Sequence, residues 1–217
     1  MDSSRSRNAR LLFAAALMLV SYLALSATAM GHHVLPQDRA VRAWVDPFRH
    51  GDLQLPMETV SLLGETAGLV PMIAIASLVL VLVDRRWAIR LPLLMAGTGA
   101  LQYLTKWAAD RPRPNLGSWG FPSGHVLSLT VFFGIIAYLV ATSVEGRRRL
   151  RVLACCGCAT TVALVAFSRI YLDMHWLSDV LGGFAVGAAY LLVAIWVIEV
   201  GTPWRVLISA ASSDASA

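Results

Sequence analysis

Residues 120–140 read GFPSGHVLSLTVFFGIIAYLV. From Val126 onward the stretch is apolar enough for lipid, yet a proline, a serine, a glycine and a histidine, Pro122 to His125, stand at the threshold of that helix. A lipid-facing helix needs neither a hydroxyl nor a titratable ring at its start. What else gathers at this threshold decides what kind of protein the chain is.

The composition is that of an integral membrane protein. Of 217 residues 57% are hydrophobic and 14% charged, with a mean hydropathy of +0.65; a soluble domain carries about 45–50% apolar and about 25% charged residues. One domain over residues 1–217 is the natural count at this length. The net charge of +5 does not point to nucleic acid, because the arginines form short blocks between apolar runs and Lys106 is the only lysine. Cys155, Cys156 and Cys158 have no zinc-type or paired spacing and stand inside an apolar run, which predicts small buried side chains.

Crossing hydrocarbon as a helix takes about 20 mostly apolar residues. Six runs qualify: Leu11–Met30, Leu62–Val83, Ala88–Tyr103, Val126–Thr142, Leu150–Phe167 and Leu177–Val200. The expected fold class is all-α, a polytopic bundle of six transmembrane helices, its motif-bearing core spanning about 62–200 between tails 1–10 and 201–217. Pro71 lies in the second run and is tolerated where neighbours satisfy the freed carbonyl. Cytoplasmic loops carry the excess of positive charge. Arg5, Arg7 and Arg10, the Asp84–Arg90 segment and the GRRRLR block, residues 146–151, fall on one side of six spans. Both termini are therefore expected in the cytoplasm, and His32–Met57, Trp107–Pro122 and Arg169–His175 outside. The SATAM stretch, residues 26–30, resembles a signal-peptidase site; cleavage there would still leave His32 outside.

Three polar blocks then share the outer face: KWAADRPRP from Lys106 to Pro114, PSGH from Pro122 to His125, and SRIYLDMHWLSD from Ser168 to Asp179. Singly they read as snorkelling anchors, a helix start with its cap and a structural i, i+4 pair. Together they bring three basic side chains, two histidines, a carboxylate and a glycine-containing helix start to one face. Ionisable residues at membrane depth are expensive, so the default for such a set is a functional site.

The set suits phosphate. A transferring phosphoryl group spreads negative charge over its oxygens, and catalysis is largely positioning and charge stabilisation. Arg113 and Arg169 offer forked donors and Lys106 a point charge. Ser123 and the backbone at Gly124 and His125 form a helix N-terminus, a ready anion site. His175 and Asp179, four apart, would share a helix face, so that the carboxylate fixes the ring tautomer and frees the other nitrogen to attack phosphorus. His125 has no carboxylate at such spacing and suits the proton transfers.

These blocks resemble the three signature motifs of the type-2 phosphatidic acid phosphatase superfamily, which includes lipid phosphate phosphatases, bacterial undecaprenyl-diphosphate phosphatases and vanadium haloperoxidases. Lys106, Arg113 and Pro114 match the first motif, Pro122 to His125 the second, and Ser168, Arg169, His175 and Asp179 the third; all eleven defined positions agree. The resemblance implies a six-helix core with its site at the outer membrane surface. It also implies His175 as nucleophile, Asp179 as its orienter, His125 as acid and base, and Lys106, Arg113, Ser123, Gly124 and Arg169 around the phosphate. No metal and no cofactor are implied. The six apolar runs resemble the phosphatase branch rather than the soluble haloperoxidases.

The expected function is hydrolysis of a lipid phosphate in the outer leaflet, with a polyprenyl (undecaprenyl or decaprenyl) diphosphate first. Phosphatidylglycerol phosphate, phosphatidic acid, a prenyl-sugar phosphate, or transfer of phosphate to another lipid are the alternatives, because the motifs recognise phosphate and not the tail. An anion transporter is the rival from another class, but it would need ionisable residues deeper in several helices. Three further features stay open at this stage. Glu58 and Glu65 either face the site or pair with an arginine. Gly183 and Gly187 form a GxxxG for close helix packing. VRAWVDPFRHGD, residues 41–52, reads as a loop or an interfacial segment with Trp44 and Phe48 turned towards lipid.

Overall fold

Long apolar runs leave a chain in lipid one way to satisfy its peptide groups, the helix. The structure, a computed structural model, describes the backbone of residues 2–49, 51–143 and 148–214 and the side chains of 6–49, 51–142 and 148–200. Arg5, His50 and the start of the GRRRLR block lie outside the described side chains, as does the 201–217 tail. The described residues form eight α-helices and no strand: α1 (Asp2–Met30), α2 (Pro36–Val45), α3 (Gln54–Ser61), α4 (Thr66–Val83), α5 (Arg85–Ala109), α6 (Gly124–Ser143), α7 (Arg148–Tyr171) and α8 (Leu177–Asp214).

Five of these, α1, α4, α6, α7 and α8, are long and apolar enough to cross a membrane. Helix α5 has the length, 25 residues, but carries Arg85, Arg86 and Arg90 at one end and Lys106 at the other. The bundle therefore holds five to six membrane-crossing helices. The expected second span begins late: Leu62–Gly64 is a 3-10 turn, Glu65 is extended, and α4 starts only at Thr66. The expected third span is longer than its apolar run, because Asp84 caps α5 by accepting from the Arg86 N–H at 3.0 Å. Many apolar side chains look outward, among them Phe13, Leu78, Leu82 and Leu153, as a lipid-facing surface requires.

Helix α6 occupies the centre. Leu127, Leu129, Val131 and Ile135 are fully buried, with α7 on one flank and α8 on the other. The GxxxG glycines let α8 come close to it. A Cβ on Gly183 would stand 2.5 Å from the Ser123 carbonyl oxygen, and one on Gly187 2.9 Å from that of Leu127. Helix α1 packs along α8, with Tyr22 stacked on Phe121 at 5.7 Å and Arg7 paired with Glu199 at 2.8 Å. Successive long helices alternate in direction, so α4, α6 and α8 begin at the end where α1, α5 and α7 finish. That end carries the polar blocks.

The expectation of buried cysteines fails. Cys156 is exposed and Cys155 and Cys158 are half-buried, because they lie on α7, whose flank lines an apolar groove of about 460 Å³ against α6 and α8. None of the expected site residues borders that groove. Trp44 and Phe48 are exposed, in edge contact with ring centroids 6.1 Å apart, as an interfacial segment would have them.

Candidate active site

Four helix ends build the site. Lys106 is in the last turn of α5, His125 in the first turn of α6, Arg169 in the last turn of α7, and Asp179 in the first turn of α8. Lys106, Arg113, Gly124, His125, Arg169 and His175 line one cavity of about 470 Å³, whose other walls include Thr66 of α4 and Gln102 and Tyr103 of α5. Three cations thus converge on a space that no carboxylate borders. Polar atoms here lack partners within the protein: Oγ of Ser123, Nε2 of His125, and Nε of Arg113 and Arg169 are buried without a hydrogen bond among the described residues. Such groups are costly unless something satisfies them, and a phosphate supplies acceptor oxygens for the nitrogens of both guanidinium groups.

Each side chain is held from behind. Lys106 donates to the Trp119 carbonyl at 2.7 Å. Arg169 donates through Nη1 to Ser61 Oγ at the end of α3. The neighbouring Ser168 turns back onto its own helix, donating to the Val165 carbonyl at 2.8 Å. The Ser123 N–H donates to the Asp179 carbonyl at 2.9 Å, which fastens the start of α6 to the start of α8 where Gly183 permits the approach. Ser123 and Asp179 stand behind the cavity wall, fully buried.

The histidine and carboxylate pair departs from the expected geometry. His175 is not helical; it lies in the turn before α8, while Asp179 sits in that helix's first turn. The cause is local: the Asp179 carboxylate accepts from the Trp176 N–H at 2.9 Å, an N-terminal cap that starts the helix after His175. The two still face each other, with Nδ1 of His175 3.5 Å from Oδ2 of Asp179, but without hydrogen-bond geometry: Nδ1 is buried with no hydrogen bond among the described residues. Burial pushes the His175 imidazole down to about 4, against the opposing pull of the Asp179 carboxylate, so the ring is neutral at pH 7. A neutral imidazole whose Nδ1 faces a carboxylate can act as a nucleophile through Nε2.

Reasoning from the sequence missed several supporting residues. Arg111, 1% exposed, donates to Asp179 and to Asp38. The doubled Arg-Pro of residues 111–114 was its one local signal, since motif spacing assigns only the second arginine. Ser61 and Asp38 gave no signal at all. Glu58 resolves to neither of its readings: on α3 it accepts from Gln54 at 2.6 Å. Glu65 does not line the cavity but acts electrostatically on Arg169.

A basic cavity with two histidines at one end of an apolar helix bundle defines a class, the membrane phosphatases. The chain belongs to the PAP2 superfamily, whose family model matches residues 87–202. It is 28% identical to phosphatidylglycerophosphatase B of Bacillus subtilis (strain 168) over 178 residues, covering 78% of this chain and 87% of the relative. Over 83 residues it is 31% identical to lipid phosphate phosphatase delta of Arabidopsis thaliana, covering 38% of this chain and 20% of that one. The crystal structure of a transmembrane PAP2-type phosphatidylglycerolphosphate phosphatase from Bacillus subtilis has the same fold. Its TM-score is 0.77 at 23% identity, over 86% of this chain and 96% of that one. The chain is a membrane lipid phosphatase.

Proposed function

We propose that the protein removes the terminal phosphate from a glycerolipid of the phosphatidylglycerol phosphate type. The similarity to phosphatidylglycerophosphatase B over most of both chains favours this monoester over the polyprenyl diphosphate that the sequence alone put first. The observation that carries the chemistry is the cavity in which Lys106, Arg113 and Arg169 surround His125 and His175.

The reaction proceeds in two displacements. Nε2 of His175 attacks phosphorus, the phosphorus–oxygen bond to the lipid breaks, and His125 gives its proton to the leaving lipid oxygen. The nucleophile's ring is then cationic, its Nδ1–H facing Asp179. Lys106, Arg113, Arg169 and the backbone at Gly124 hold the phosphoryl oxygens as charge builds on them, while Ser123, behind the wall, ties the start of α6 to Asp179. Water, giving a proton to His125, attacks the phosphohistidine; the phosphorus–nitrogen bond breaks and inorganic phosphate leaves. The arginine-rich ends of α5 and α7 lie opposite the site, and the charge rule puts them in the cytoplasm, so the site faces outward.

Phosphate release by the purified protein in detergent with excess EDTA tests this reading. Phosphatidylglycerol phosphate, phosphatidic acid and undecaprenyl diphosphate are the three substrates, and His175→Ala is the blank. Release from phosphatidylglycerol phosphate above the others, lost in the variant, is expected. Preference for undecaprenyl diphosphate would overturn the substrate assignment, and equal release by His175→Ala would overturn the mechanism.

A further inference from the structure

Behind Asp179 lies a buried polar cluster that the reaction as written does not use. Arg111 spends all four of its Nη hydrogens there. Nη1 donates to Asp179 Oδ1 and to Ser178 Oγ, each at 2.7 Å. Nη2 donates to the His33 carbonyl at 2.8 Å and to Asp38 Oδ2 at 3.1 Å. Asp38 in turn accepts from the Ser178 N–H and hydroxyl, each at 2.8 Å, and from the Leu35 N–H at 3.1 Å. Arg111, Asp38, Ser178 and Asp179 are each at most 2% exposed. Two helix starts, those of α2 and α8, thus present carboxylates to one guanidinium.

We infer that Asp38 and Arg111 are positioning residues for the nucleophile: Arg111 grips Oδ1 of Asp179, which leaves Oδ2, anchored by the Trp176 N–H at 2.9 Å, facing His175 at 3.5 Å, and Asp38 offsets the guanidinium charge. The inference rests on the phosphatase reading above. The charge count gives its reason. An Arg111–Asp179 pair alone is neutral and would do little for a cationic phosphohistidine ring. With Asp38 the buried set carries one net negative charge, directed at His175 through Oδ2. Burying three charges is costly unless each is paired and hydrogen-bonded, and helix packing alone does not require them. The segment between α1 and α4 therefore reaches the reacting centre through Asp38.

The groups that face His175 come from every wall: Lys106 of α5, Arg113 of the following loop, His125 of α6, Arg169 of α7, and Asp179 of α8. Asp38→Asn removes one negative charge from behind this set and leaves the cavity lining intact.

The test is the full-length protein in detergent, assayed for phosphate release from phosphatidylglycerol phosphate. Histidine-labelled NMR follows the titration of His175 in parallel. For a folded Asp38→Asn, kcat falls at least about tenfold, the scale known for loss of the groups that orient a metal-bound histidine from behind. KM stays within about twofold, and the His175 titration moves to lower pH. Ser178→Ala, which deletes the hydroxyl bridging Asp38 and Arg111 but keeps the charges, lowers kcat about threefold; it carries the test if Asp38→Asn does not fold. Unchanged kcat and unchanged titration in a folded variant would overturn the inference. If the wild-type protein releases no phosphate from this lipid, the substrate reading falls and the titration decides alone: a shift upholds the coupling, and its absence ends it.

Discussion

Nη1 of Arg111 donates to Oδ1 of Asp179 at 2.7 Å across 68 positions of sequence, while Arg113, two residues further on, lines the basic cavity. Two adjacent Arg-Pro pairs thus do different work. One arginine has its Nη groups locked among buried carboxylates, and the other lines the cavity. The loop that carries both folds back on itself, the Gly120 N–H donating to the Arg111 carbonyl at 2.6 Å and the Arg113 N–H to the Gly117 carbonyl at 2.7 Å.

Replacing His175 by alanine should abolish turnover without unfolding the protein. Asp179 keeps its bond to Arg111 when the ring is gone, so no buried charge is orphaned. Phosphate release is expected to fall at least about a thousandfold, as for removal of a nucleophile, with the thermal midpoint in detergent changing by only a few degrees. A variant retaining a tenth of wild-type activity would exclude His175 as the nucleophile.

Activity should persist on the acid side of pH 6.5. Burial holds His175 at about 4 instead of 6.5, so its loss as a nucleophile is expected near pH 4. Stability follows the same proton. Between pH 6.5 and 4 the unfolded chain binds a proton at His175 that the folded protein refuses, so stability falls as pH falls through that window. Thermal midpoints at pH 7 and pH 5 measure this, and His175→Asn should flatten the dependence. An equally steep decline in that variant would assign it elsewhere.

Gly183→Ala should damage fold and catalysis together. Its Cβ would meet the Ser123 carbonyl oxygen at 2.5 Å, a backbone atom that cannot swing aside, so α8 must move off α6 and carry Asp179 with it. Overpacking of this kind costs about 1–3 kcal/mol. A lower thermal midpoint and at least about tenfold slower turnover are expected, since an ångström of misplacement can cost about a hundredfold. Wild-type values on both counts would refute the role of this contact.

Gly64→Ala should disturb His125 and the fold around it. A Cβ there would lie 2.5 Å from Cδ2 and 2.7 Å from Cβ of His125; the ring can rotate, but its Cβ is fixed to the backbone, so the turn before α4 must also shift from the start of α6. Lower kcat, nearly unchanged KM and a thermal midpoint lowered by overpacking of about 1–3 kcal/mol are expected. A raised KM at constant kcat would point to substrate binding instead.

The long helices were legible because the information is local. Some twenty apolar residues in a row admit one conformation in lipid, and α6, α7 and α8 begin within two residues of the apolar runs at Val126, Leu150 and Leu177. The candidate site residues were legible for a related reason: His125 follows Ser123 by two positions, and Asp179 follows His175 by four, so each group lies within about one helical turn of sequence. Even so, His175 proved to lie in a turn, because the Trp176 N–H, donating to the Asp179 carboxylate, starts α8 two residues after it.

Contacts between distant segments were decided only by the tertiary structure. Asp38 meets Ser178 across 140 positions, Ser61 meets Arg169 across 108, and the choice between Arg111 and Arg113 depends on which helix ends close around each. Hydropathy and spacing describe a residue by its neighbours in sequence. A buried charge is described by the partners that offset the cost of taking it out of water, and those partners come together only when the bundle assembles.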